Sequence, residues 1–272
     1  MYKGFHFIFL CSSIIFVGLS ACVKNGTEAK PNPPAPFKLA YKDSIIYLKD
    51  DILDNYIVEP LKSPVGIYTG FPDGIEIDSA TGKINVSESE TGLRYRITYT
   101  SPKGETSSTT IVLSGMNFKD KFYRLSQGDS LAFPIYNASV ARVLPVSGSN
   151  FDEGKVANAS GCAIKTTNGQ INLPATVRNG VFGKDPKNDV RKDFDIFYRL
   201  NDKSSKSLNR LRVRLYYYKS MADVAPDLLQ TLKDRENLGV FLESNTNSST
   251  VSVARTNREA RPRPPCIILI AN

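Results

Sequence analysis

The phrase GIEIDSATGKINV at 74–86 returns 87 residues later as GCAIKTTNGQINL at 161–173. Gly, Ile, Gly, Ile and Asn recur in register: Gly74/Gly161, Ile77/Ile164, Gly82/Gly169, Ile84/Ile171 and Asn85/Asn172. In the first copy Ile75 and Ile77 alternate with polar neighbours, Asp78-Ser79-Ala80-Thr81-Gly82 turns, and Ile84 and Val86 alternate again. This is the pattern of a β-hairpin, with Gly82 where the backbone needs a positive φ. A local structure written twice at this spacing implies that the unit around it is built twice.

The flanking segments repeat as well. Tyr95, Ile97 and Tyr99 alternate with Arg94, Arg96 and Thr98, a strand with one apolar face, and Thr109–Leu113 returns after a turn at Pro102-Lys103-Gly104. Phe194, Ile196 and Tyr198 alternate in the same way. A turn at Asn201–Ser204 then leads into Leu211, Val213, Leu215 and Tyr217. Gly180, Gly183 and Pro186 mark residues 179–188 as an ordered excursion, and KFYRLSQGDSLAFPIYNA, with a turn at Gly128-Asp129, reads as the start of the second unit.

The stretch 71–115 resembles the Ig and cadherin-like domains of bacterial surface proteins. Pro72, Gly74, Ile75, Ile77, Asp78, Thr81, Gly82 and Ile84 fit their pattern, while Asn85-Val86-Ser87 stand where a glycine is usual. The fold class expected is all-β: two tandem Ig-like β-sandwich domains, 37–115 and 116–220, then a small C-terminal α+β element, 221–272. In that element Pro226 opens a helix whose apolar side is Leu228, Leu229 and Leu232, ending near Asn237-Leu238-Gly239. Short strand-like runs follow at Val240–Leu242, Thr250–Val253 and Cys266–Ala271. The element is either a cap on the second domain or the opening of a longer one.

The amino terminus sets location. One early Lys3, an apolar run from Phe5 to Gly18 and small residues before Cys22 make residues 1–21 a signal peptide. Leu19-Ser20-Ala21-Cys22 resembles the bacterial lipobox, which implies lipid attachment at Cys22 and a partner in the membrane. Residues 22–36, with their prolines, suit an extended tether. The resemblance is to Bacteroidetes-type surface lipoproteins and implies an outer-membrane anchor, its periplasmic or surface face left open.

Removal of residues 1–21 takes His6, the only histidine, and leaves a net charge of +7; the chain has no tryptophan. Without imidazole, Ser-His-Asp and Cys-His mechanisms and His-based zinc sites are excluded. No carboxylate spacing points to a hydrolase, and no cofactor or metal is expected. Asp234-Arg235-Glu236 matches three letters of a cadherin calcium motif, but it sits on the expected helix without companion acids. Cys162, at the repeat position of Ile75, and Cys266 are a candidate disulfide, the alternative being buried thiols.

Two features are candidates for binding. Arg210, Arg212 and Arg214 share the face of their strand opposite the core, with Arg255, Arg258, Arg261 and Arg263 adding charge in the tail. Antiparallel pairing would set Asp193 and Asp195 opposite Arg214 and Arg212, an ordinary cross-strand arrangement. Phe197, if outward, would join Tyr216 or Tyr218 in an aromatic platform of the kind that stacks on sugar rings. The alternative is that these rings pack against the C-terminal element. The function expected is non-enzymatic binding or adhesion at the cell envelope, with a polysaccharide or another envelope protein as partner and no nucleic acid.

Overall fold

The computed structural model describes residues 36–49, 55–237 and 264–272, and Phe37–Asn272 belong to one compact unit. The signal peptide, Cys22 and most of the tether lie outside the described residues. So do the strand-like runs Val240–Leu242 and Thr250–Val253, and Arg255, Arg258, Arg261 and Arg263. The fold is all-β and sandwich-like, built from several sheets with a few short helices.

The first half contains β1 (Ile45–Ile46), β2 (Ile57–Val58), β3 (Ile67–Phe71), β4 (Glu76–Ile77), β5 (Ile84–Asn85), β6 (Arg94–Thr100) and β7 (Thr106–Leu113). They form a four-stranded sheet, β1-β7-β6-β3, and a three-stranded sheet, β2-β5-β4. Strand β6 alternates as its sequence requires: Tyr95, Ile97 and Tyr99 are buried, whereas Arg94, Arg96 and Thr98 are partly exposed. The inward residues meet Ile84 of the smaller sheet, and Val86 just beyond it, in one core with Leu39, Tyr68 and Leu113. Strand β1 pairs in parallel with β7, placing Ile45 beside Val112 and Ile46 beside Leu113.

After β8 (Met116–Asn117), the second half runs β9 (Lys121–Arg124), β10 (Leu131–Ala132), β11 (Ile135–Tyr136), β12 (Asn150–Phe151), α1 (Val156–Ala159), β13 (Ile171–Asn172) and α2 (Leu173–Arg178). It ends with β14 (Val190–Arg199), β15 (Leu208–Tyr218), α3 (Pro226–Asn237) and β16 (Cys266–Ile270). Its main sheet has the order β12-β14-β15-β16-β9. Phe194, Ile196, Leu211, Val213 and Leu215 face a core shared with Phe151, Ile171 and Leu173.

The repeated phrase folds the same way twice. Asp78 N–H donates to Lys83 O and Gly82 N–H to Asp78 O, both at 2.8 Å; Lys165 to Gln170 O and Gly169 to Lys165 O repeat them at the same distances. Gly82 and Gly169 have φ of 73° and 72°. The likeness runs past the phrase. Ser89 Oγ donates to Asn85 O and accepts from Glu76 N–H, and Thr176 Oγ1 does the same with Asn172 O and Ala163 N–H. The copies part at Asn172, which caps α2 by accepting from Ala175 N–H, so the second copy continues as a helix.

Three outcomes bear on alternatives that the sequence left open. The C-terminal element is not merely a cap: β16 lies inside the main sheet, parallel to both β15 and β9. Tyr216 and Tyr218 are buried beneath Val224 and Leu228 rather than presented to solvent. Cys162 and Cys266 are not joined in a disulfide, and both are buried, which is the other alternative the sequence left open. Alternation explains this: Ile267 and Leu269 of β16 point into the core that holds Cys162, whereas Cys266 points to the other face with Ile268 and Ile270. A bridge would have to pass through the sheet.

Candidate functional site

The outward face of β14–β15 is set by register. Asp193 lies beside Arg214, Asp195 beside Arg212, Phe197 beside Arg210 and Arg191 beside Tyr216. Arg214 Nε and Nη2 donate to the two oxygens of Asp193 at 2.6 and 2.7 Å, and Arg212 Nε and Nη2 to those of Asp195 at 2.9 and 3.1 Å. Both are bidentate forks. The hydrogen bond from Arg214 holds the Asp193 carboxyl below its ordinary range, and the bond to Asp195 raises Arg212. The stripe is therefore largely neutralised. Arg210 is the member that is exposed and has no carboxylate partner among the described residues.

The expected aromatic platform does not assemble. Phe197 is half-buried beside Arg210. Tyr216 lies six residues further along β15, about 20 Å away at ordinary strand rise. Tyr218 is 0 % exposed and its hydroxyl donates to Asp189 Oδ1 at 2.6 Å. Burial under α3 and β16 raises the pKa of both tyrosines. Phe197 and Arg210 are the pair of candidates that the structure leaves together at the surface.

Beside Arg210 opens a cleft of about 210 Å³ where the two halves meet. Its walls include Leu48 and the Ser87–Thr91 segment on one side, and Leu208, Asn209, Arg210 and Arg212 on the other. The Ser87–Thr91 segment is shaped locally: Asn85 Oδ1 accepts from the Ser87 and Glu88 N–H groups at 3.1 and 3.3 Å, which turns the chain and leaves Glu88 exposed. Asn209 is 4 % exposed, and its Oδ1 has no hydrogen-bond partner, an uncommon condition for a buried acceptor.

Buried hydrogen bonds hold the cleft walls together. The hydroxyls of Tyr198 and Thr91 lie 2.8 Å apart, and the Tyr198 oxygen also accepts from Met116 N–H at 3.1 Å. Asn117 Nδ2 donates to Glu90 Oε1 at 2.8 Å, and Ser207 Oγ to Leu48 O at 3.1 Å. The arrangement offers a cation and an exposed carboxylate at a polar recess, with the Phe197 ring on the neighbouring strand beside Arg210. Sequence reasoning reached Arg210 and Phe197 but not Glu88, Leu48 or Asn209. The available signal was the departure at Asn85-Val86-Ser87 from the expected glycine.

Among the described residues no cluster of His, Cys, Asp and Glu is suited to a metal ion. Asp234 accepts from Gln230, and Arg235 turns inward to Asp120. No helix among the described residues is long and apolar enough to cross a membrane.

No protein-family model and no curated protein matches the chain. Seven chains among solved structures match, including the crystal structure of Drosophila N-cadherin EC1-4. The identity is 11% over 66% of this chain and 49% of that one, with a TM-score of 0.21. The chain spans about half the length of that structure, and a likeness at this level carries no argument about function.

Proposed function

We propose that the chain is a non-enzymatic binding protein of the cell envelope. In this reading it is anchored through lipid on Cys22, carries two tandem Ig-like modules on a proline tether, and captures glycan at the cleft beside β15. The observation that carries it is Arg210, exposed and without a carboxylate partner among the described residues, next to a half-buried Phe197 and lining the recess that Glu88 borders. Arg212 and Arg214 already satisfy their charge on Asp195 and Asp193, so a broad anion-binding stripe is not left to solvent. The groups that remain suit a hydroxyl-rich, uncharged sugar: a ring to stack on, a donor and an acceptor. Affinity electrophoresis of residues 23–272 through neutral and acidic polysaccharides, at low and high salt, tests it. Retardation by a neutral glycan that persists at high salt supports the reading. Passage through every gel without retardation counts against it.

A second reading is a scaffold that contacts another envelope protein. It is favoured by Phe133, Val140, Val143 and Val146, which are 56, 62, 89 and 45 % exposed around one loop of the second half. A stoichiometric crosslinked envelope partner, with indifference to sugars, is its expected result.

A further inference from the structure

The two halves close their main sheets differently, and in the second the place beside the long hairpin is taken by the last strand. Matching Tyr95 and Ile97 of β6 to Phe194 and Ile196 of β14 also matches their partners, Ile111 to Val213 and therefore Leu113 to Leu215. Beside Leu113 stands Ile46, from the strand that begins the first half. Beside Leu215 stands Ile267, from the strand that ends the chain. The strand that begins the second half, β9, is pushed out by one place and pairs with the far edge of β16. The last strand has been inserted where the first half uses its own first strand.

We infer that the gap between β9 and β15 is an acceptor site for an extended apolar strand, and that copies of this chain exchange β16 through it. The slot recognises its strand on every side. Leu215 and Leu269 meet in one core, Tyr218, Ile268 and Ile270 in the other, and all five residues of β16 are buried. At the entrance Asp120 Oδ1 accepts from Cys266 N–H at 2.6 Å, while Arg235 Nη1 pairs with Asp120 at 3.2 Å and lies 3.1 Å from Cys266 Sγ. Every group of this socket lies outside β16, so the strand of a second copy would find identical contacts.

Connectivity makes a second copy the fitting occupant. A strand parallel to both neighbours cannot arrive through a tight turn, and residues 238–263 separate it from α3. A stretch of that length reaches on the order of 90 Å when extended, and the advantage of a strand on its own chain falls as the connection lengthens. Exchange of an identical element is a low-cost route to dimers because the interface already exists. This inference is independent of the glycan reading.

The test uses tagged and untagged mature chains, residues 23–272, refolded together and, separately, mixed as folded proteins over a range of concentrations. Untagged chain should be captured with the tagged one, increasingly with concentration. A peptide of residues 264–272 in excess should abolish capture, and a scrambled peptide should not. Absence of capture by both routes, or capture that the 264–272 peptide leaves unchanged, overturns the inference.

Discussion

Tyr198 joins the halves through a single hydroxyl, bonded to Thr91 Oγ1 and to the Met116 N–H in a wholly buried setting. Tyr198→Phe leaves the Met116 N–H without its partner and should destabilise the protein by about 1–3 kcal/mol, read as a lower denaturation midpoint. Burial also pushes the phenol pKa up to about 12. Because the folded-state value lies above the unfolded one, near 10, the neutral hydroxyl contributes stability that is fully present below pH 10. That contribution is lost as pH rises through about 12. Phenolate absorbance should show this late-titrating group, and denaturant stability should fall as pH rises from about 10 to about 12. At this scale the sequence was partly legible. The facing of Asp193 and Asp195 with Arg214 and Arg212 follows from strand alternation alone. The burial of Tyr216 and Tyr218 does not, because alternation left both a platform and packing against the C-terminal element open, and the cover comes from Val224 and Leu228 nearby and from Cys266, Ile268 and Ile270 far along the chain.

The repeated hairpin makes a matched prediction at the level of elements. A Cβ on Gly82 would lie 2.6 Å from the Tyr68 ring, and one on Gly169 would lie 2.9 Å from the Phe151 ring. Both glycines also hold a left-handed backbone that costs other residues roughly 1–2 kcal/mol. Gly82→Ala and Gly169→Ala should each lower stability by at least that amount, with hydrogen exchange rising first in the half that carries the change. In contrast, Arg214→Ala removes a partly exposed pair and should cost about 0.2–1 kcal/mol, less at high salt. The hairpins and long strands were legible because glycine placement and two-residue alternation are local signals. The short helix α2 was not, since its start depends on Asn172 capping Ala175 where Asn85 in the first copy instead turns the chain.

For the whole molecule, the place of β16 lay beyond the sequence. CIILI announces a buried strand, but nothing in it says between which strands it is inserted. The cleft was hidden for the same reason, since its walls come from segments more than a hundred residues apart. The proposed anchor gives a separate prediction: Cys22→Ala should release the mature protein from detergent-extractable membrane or block its processing, checked by fractionation. The central claim is that Arg210, not its ion-paired neighbours, faces the ligand. The most direct measurement is the affinity of one retained glycan for the native chain, Arg210→Ala and Arg214→Ala, each checked for an unchanged fold. Weakening at Arg210 with little change at Arg214 is the expected result, and equal affinities in all three proteins would contradict it.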